Sequence, residues 1–255
     1  MKDLFSVQGK VAVVTGGSRG IGMMIARGFV ENGVKTYITA RNEEALQATA
    51  EELSAHGECI AVPSNISTLE GLSAFAADIA ARESKLDILI NNAGTTWGAN
   101  IDDFPENGWD KVMDLNVKST FFLIQKLLPL LRAAGTSEDP ARIINIGSMN
   151  GTTHPHMDNY SYSASKAAVH HLTRHLGANL AEQYINVNGI APGYFPSKMI
   201  DFMLEDEAKL LDEIPRGRLG NAEDAAGTAI YLCSKASAWM VGHILALDGG
   251  GVAAT

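Results

Sequence analysis

The sequence predicts a doubly wound α/β fold, with a parallel sheet covered on both faces by helices. Three observations carry that expectation. Short runs rich in β-branched residues alternate with longer stretches at helical spacing. Several of the short runs are apolar without a break, as strands buried on both faces are. The first of them passes directly into a glycine-rich turn and then a helical stretch. A chain of 255 residues, 46% apolar and 19% charged, can fill one core of this kind, so a single domain over 1–255 is expected.

In chain order, VAVVT (11–15), KTYIT (35–39), CIAV (59–62), DILIN (87–91), RIINI (142–146), NVNGI (186–190) and HILAL (243–247) read as strands. Helical stretches fall near 20–32, 43–56, 69–83, 106–133, 160–183 and 221–235, with Pro129 expected to kink or break the fourth. In such a sheet, ligands bind at the C-terminal ends of the strands. The longest interruption, GYFPSKMIDFMLEDEAKLLDEIPRGRL (193–219), follows the sixth strand at that end. It reads either as a surface excursion or, over 194–219, as a helical lid. In the lid, Met199 and Met203 would offer a deformable apolar wall.

The net charge is -9, and no Lys- or Arg-rich run is present. Nucleic acid and anionic membrane are therefore poor partners, and an anionic ligand must be held by a local site. The N-terminal MKDLFSVQGK lacks the apolar segment of a signal peptide, and FFLIQKLLPLLR (121–132) is too short and too charged to span a membrane. Cys59 and Cys233 form no C-x-x-C pair and read as reduced buried thiols, which suits a cytoplasmic protein.

The local site is the turn. In VAVVTGGSRGIG (11–22), Gly16, Gly20 and Gly22 link a strand to a helix N-terminus. Such glycines allow a tight turn and close approach of phosphate oxygens, and the helix end offers unpaired N–H groups to a pyrophosphate. A dinucleotide cofactor is expected. After the second strand, an enzyme using NAD usually carries an acid to accept from the ribose diol. Here Ala40 and Arg41 stand there, with Arg19 inside the turn. Two guanidiniums would clamp a 2′-phosphate, so NADPH is favoured over NADH.

TGGSRGIG (15–22), NNAG (91–94), Asn116 in LNV, Ser148 in NIGS, YSASK (162–166), IAPG (190–193) and the LDGG ending at Gly250 together resemble the short-chain dehydrogenase/reductases. Within that family, NNAGTTWGA, LLPLLR and EDPARIINIGS look closest to NADPH-dependent 3-ketoacyl reductases associated with rhamnolipid synthesis. The resemblance implies a Rossmann-like seven-stranded sheet, a homotetramer, and a tetrad of Asn116, Ser148, Tyr162 and Lys166. It also implies that Ser18 and Ile21 of the turn, Ile66, Asn92, Ala93, Gly94, Pro192 and Gly193 face the dinucleotide, and that Asn116 holds a water linking Lys166 to solvent. Asn65 stands where the family often has an Asp at the adenine, and Ser197 where a Thr commonly meets the carboxamide. Ser148 and Tyr162 are 14 apart, one more than is common, which predicts a bulge within 149–159.

Helical spacing selects the tyrosine. Lys166 lies four residues after Tyr162, on the same helix face, whereas Tyr160 is six residues away and reads as a rim residue. A phenol is about three units too weak a base at neutral pH, and an ammonium about 4 Å away at an effective dielectric near 20 supplies about that much. The expected chemistry is hydride transfer between NADPH and a ketone, with Tyr162 as acid/base and Ser148 as hydrogen-bond donor. A 3-ketoacyl thioester is the first candidate substrate, a sugar or polyol the second. A silent NADP-binding regulator would not need all four tetrad residues.

His171 and His175 share a helix face, but no third ligand accompanies them, so no metal is expected. With His170 they read as lying near a subunit contact. His154 and His156, after the serine, are candidates for facing the substrate.

Overall fold

The computed structural model describes residues 3–154, 157–197 and 207–254. Seven strands form one parallel sheet: β1 (Val11–Thr15), β2 (Lys35–Thr39), β3 (Cys59–Ala61), β4 (Ile88–Asn91), β5 (Ala141–Ile146), β6 (Ile185–Pro192) and β7 (Ile244–Leu247), in the order β3-β2-β1-β4-β5-β6-β7. The helices are α1 (Gly20–Glu31), α2 (Glu43–Ser54), α3 (Leu69–Arg82), α4 (Glu106–Met113), α5 (Ser119–Ala134), α6 (Tyr160–Leu180), α7 (Glu207–Asp212) and α8 (Ala222–Cys233). Each expected strand and each expected helix before the lid is present within a residue or three of its expected ends, save one.

Alternation along the strands explains why both faces are covered. Ala12, Val14, Ile88 and Ile90 join a core under α1, α2 and α8 that includes Ile25, Phe29, Leu46, Leu53 and Leu232. Val11, Val13 and Leu89, their neighbours in sequence, face the opposite core with Phe75 of α3 and Leu123, Leu127 and Leu131 of α5. Because strand order reverses between β1 and β4, the segments following those two strands diverge and leave a crevice at their C-terminal ends.

The exception is the stretch 106–133. It is not broken at Pro129, since α5 runs on to Ala134 with that proline inside it. A proline costs a helix interior about 3 kcal/mol, and the burial of Leu123, Leu127 and Leu131 on one face outweighs it. The irregularity lies earlier, at Asp114–Lys118, where one π-helical turn joins α4 to α5 and carries Asn116. The expected residues 198–206 of the lid, with Met199 and Met203, lie outside the described residues, as does His156. Beyond them Leu210 and Ile214 are buried, and Arg216 N donates to Gly249 O at 3.0 Å. No helix among the described residues is long and apolar enough to cross a membrane.

Thr15 ties the two diverging segments together. Its hydroxyl accepts from Asn92 N and Ala93 N, both at 2.9 Å, and donates to Ile90 O at 3.3 Å. Thr15→Val keeps the shape and removes the acceptor, leaving two amides unpartnered. The expected loss in denaturant unfolding is about 1–3 kcal/mol; a variant as stable as wild type contradicts this role.

Candidate active site

At the end of β1 the chain must turn sharply and hand over to a helix. Gly16 and Gly20 take φ of +65° and +54°, in the left-handed region that a side chain strains. Gly22 serves packing instead: a Cβ there would stand 2.4 Å from Asn92 Nδ2 and from Gly16 O. The helix start has no side-chain cap at Arg19 and no acid in its first turn. Its amides and partial positive charge are therefore available to an anion.

This turn forms one end of a cavity of about 1240 Å³. Gly16, Ser18, Arg19, Gly20 and Ile21 line it, and Arg41, Asn65 and Ile66 stand beside them. Arg19 and Arg41 are both exposed, and neither forms an ion pair with another described residue. Thr39, at the end of β2 and also lining the cavity, is 1% exposed with no hydrogen-bond partner for its hydroxyl. The Asn65 side-chain oxygen is taken by Ser67, whose hydroxyl donates to it at 2.7 Å. Asn92, Ala93 and Gly94 continue the wall from β4, and Pro192, Gly193 and Ser197 close it from β6. An uncapped helix start, glycines at the turn and two unpaired guanidiniums fit a phosphorylated dinucleotide.

At the other end, Ser148, Tyr162 and Lys166 come together on the same cavity. Ser148 follows β5 and Tyr162 sits in the first turn of α6. Both are buried, and the Ser148 side chain is close enough to act on the Tyr162 phenol. Lys166, one turn on, is 5% exposed; its Nζ donates to Ile146 O at 2.8 Å and lies 5.6 Å from the centre of the Tyr162 ring. Tyr160 is outside, bonded to Asp158 at 2.8 Å and packed edge-on against Phe104. The tyrosine that lines the cavity beside Lys166 is the one at i,i+4 spacing.

The expected electrostatics need correction. Burial pushes the Tyr162 phenol above its usual value of 10.0, and the Ser148 side chain opposes this only in part. Lys166 does not lower it, because burial instead lowers the amine, from 10.5 to about 8. In the protein alone, the phenol is a held proton donor rather than a nascent base.

Asn116 and Gly22 stand behind the cavity wall. Asn116 is 2% exposed; its Oδ1 accepts from Thr95 N at 2.9 Å, and its Nδ2 donates to Thr95 O at 3.0 Å and Ser165 Oγ at 2.9 Å. With both donors engaged, the side chain clamps the segment after β4 to α6. His171 and His175 are exposed on α6, while His170 faces inward, buried beneath Ser148 rather than toward a subunit contact. His154 is exposed and does not line the cavity. Two contributors, Thr15 and His170, were missed: a strand-end threonine carries no signal of its own, and His170 shows one only as the residue i+4 from Lys166.

The sequence matches the short chain dehydrogenase family over residues 10–208. It is 47% identical over 253 residues, 98% of this chain and 99% of the relative, to the rhamnolipids biosynthesis 3-oxoacyl-[acyl-carrier-protein] reductase of Pseudomonas aeruginosa. It is 34% identical, over 97% of this chain and 96% of the relative, to gluconate 5-dehydrogenase of Gluconobacter oxydans. The solved Pseudomonas aeruginosa RhlG/NADP active-site complex superposes with a TM-score of 0.95 at 47% identity, covering 99% of this chain and 100% of the other. A gluconate 5-dehydrogenase from Burkholderia cenocepacia in complex with NADP and tartrate gives 0.91 at 32% identity, covering 99% of each. With the glycine turn, the serine, the tyrosine and the lysine meeting in one crevice of a seven-stranded parallel sheet, the chain belongs to the short-chain dehydrogenase family.

Proposed function

We propose that the protein is an NADPH-dependent reductase interconverting a ketone and a secondary alcohol, with 3-ketoacyl thioesters as its substrate class. The observation that carries this is the convergence of Ser148, Tyr162 and Lys166 on a cavity continuous with the glycine turn. NADPH supplies a hydride for the carbonyl carbon. Tyr162 gives its proton to the carbonyl oxygen, and its raised pKa keeps that proton in place at neutral pH. Ser148 donates a hydrogen bond to the same oxygen as charge develops on it. Lys166, at about 8, holds a proton that exchanges near neutral pH and so can restore the phenol. Asn116 positions the wall on which Gly94 lies.

The substrate end favours an apolar ketone over a sugar acid. Leu115, Met149, Met157 and Tyr194 line it. Among the described lining residues the cations are Arg19 and Arg41, at the glycine turn, and Lys166, while Asp158 adds an acid. An aldonate carboxylate would meet no arginine there among the described lining residues. The 47% identity to a 3-oxoacyl reductase, above the 34% to a gluconate dehydrogenase, points the same way. Residues 194–219 act as a lid in this reading, supported by Tyr194 and Phe195 in the cavity wall. Self-association into a tetramer belongs to it too, supported by Trp239, 100% exposed, just ahead of the edge strand β7.

NADPH oxidation should be fast with 3-ketoacyl thioesters and slow with ketoaldonates; the reverse order overturns the substrate assignment. Tyr162→Phe should lower turnover by about 10²–10⁴-fold and leave NADPH affinity nearly unchanged, checked by rate and fluorescence titration. Wild-type turnover in that variant removes Tyr162 from the chemistry. Arg41→Asp should weaken NADPH roughly 10–100-fold and NADH far less, measured as a ratio of Kd values. An unchanged ratio rules out the phosphate clamp.

A further inference from the structure

Ser148 reaches the cavity on a short loop, residues 147–151, and the underside of that loop rests on one imidazole. His170 stands one helical turn beyond Lys166 on α6 and is 4% exposed. Its Nε2 accepts a hydrogen bond from Ser148 N at 3.4 Å. A Cβ at Gly147 would stand 2.2 Å from that Nε2, and one at Gly151 would stand 2.8 Å from His170 Cε1. The two glycines flanking the serine loop are thus the room the ring occupies. His170 does not line the cavity.

The contact needs a lone pair, hence a neutral ring. Burial, Lys166 and Arg174 hold the imidazole down at about 4, so it stays neutral across the working range. An apolar side chain would fill the volume yet leave a buried N–H without an acceptor. Backbone bonds hold the ends of the loop, Gly147 N to Ile190 O at 2.7 Å and Gly151 N to Ser148 O at 2.9 Å, and one bond runs through the reactive group itself: Asn150 N donates to Ser148 Oγ at 3.2 Å. The imidazole is thus the acceptor for the Ser148 N–H, and its loss would free that amide while the hydroxyl still accepts from Asn150 N.

We propose that His170 is a positioning residue for the reduction: it fixes the Ser148 backbone and, through it, the hydroxyl that meets the substrate carbonyl. This rests on the role given to Ser148 above. Glutamine can place an oxygen near the position of Nε2, whereas leucine has no acceptor and asparagine falls short.

The test compares His170→Leu, His170→Gln, Ser148→Ala and the Leu/Ala double variant, with 3-ketoacyl thioester reduction, NADPH affinity, and hydrogen exchange of the Ser148 amide as readouts. His170→Leu should lower kcat on the order of tenfold at unchanged NADPH affinity and speed exchange at Ser148. His170→Gln should recover most of both. In the Ser148→Ala background, His170→Leu should cost almost nothing further, because its effect passes through the missing hydroxyl. Three results overturn the proposal: a His170→Leu enzyme with wild-type rate and protection, a glutamine variant as impaired as the leucine one, or an undiminished loss on top of Ser148→Ala. If Ser148→Ala turns over normally, the role of Ser148 has failed, and amide exchange alone decides whether His170 holds the loop. If the leucine variant does not fold, His170→Gln against His170→Asn carries the same contrast.

Discussion

The site depends on one buried ammonium. Lys166 is 5% exposed, and its Nζ donates to a backbone carbonyl, Ile146 O, at the end of β5. Taking that charge out of water is unfavourable, which is why the amine falls from 10.5 to about 8. The sign follows directly. Between those two values the unfolded chain binds the proton and the folded chain does not, so stability rises with pH through that window. Below it, the folded protein carries a penalty of roughly 3 kcal/mol. The fold holds the amine there through its strongest parts: β5, paired with β4 and β6 along its length, and α6, the longest helix.

Around that amine, each neighbour is fixed by backbone rather than by chance packing. Asn116 accepts from the N–H and donates to the C=O of Thr95 and also donates to Ser165, tying the end of β4 to α6. Thr15 joins the end of β1 to the start of the same segment. The cavity floor therefore spans three strands and one helix as a connected set. A preorganised polar floor is what a reaction that moves a proton and a hydride to adjacent atoms requires. The acidic chain as a whole, at -9, opposes an anionic cofactor. The uncapped start of α1 and the two unpaired arginines set the local field against that background.

Much of this was legible in the sequence. The alternation of strands and helices, the glycine turn and the i,i+4 pair of Tyr162 and Lys166 all rest on local periodicity, and local periodicity is what a sequence displays. What the sequence concealed depends on distant partners. Pro129 signals a break by itself, yet the packed face of α5 overrides it and the irregular turn falls at Asp114–Lys118. The phenol was expected to be lowered by its lysine, but desolvation, which no spacing reveals, moves both groups the other way. His170 was grouped with its exposed neighbours near a subunit contact because its partner, the Ser148 amide, is 22 residues away.

The most direct test of this electrostatic arrangement is a ¹³C NMR titration of the Tyr162 Cζ in the dinucleotide-free protein. Burial should keep the phenol protonated past pH 10, the ordinary tyrosine value. A midpoint below that value would show that Lys166 already governs the phenol, and would contradict the picture of a held proton over a desolvated amine.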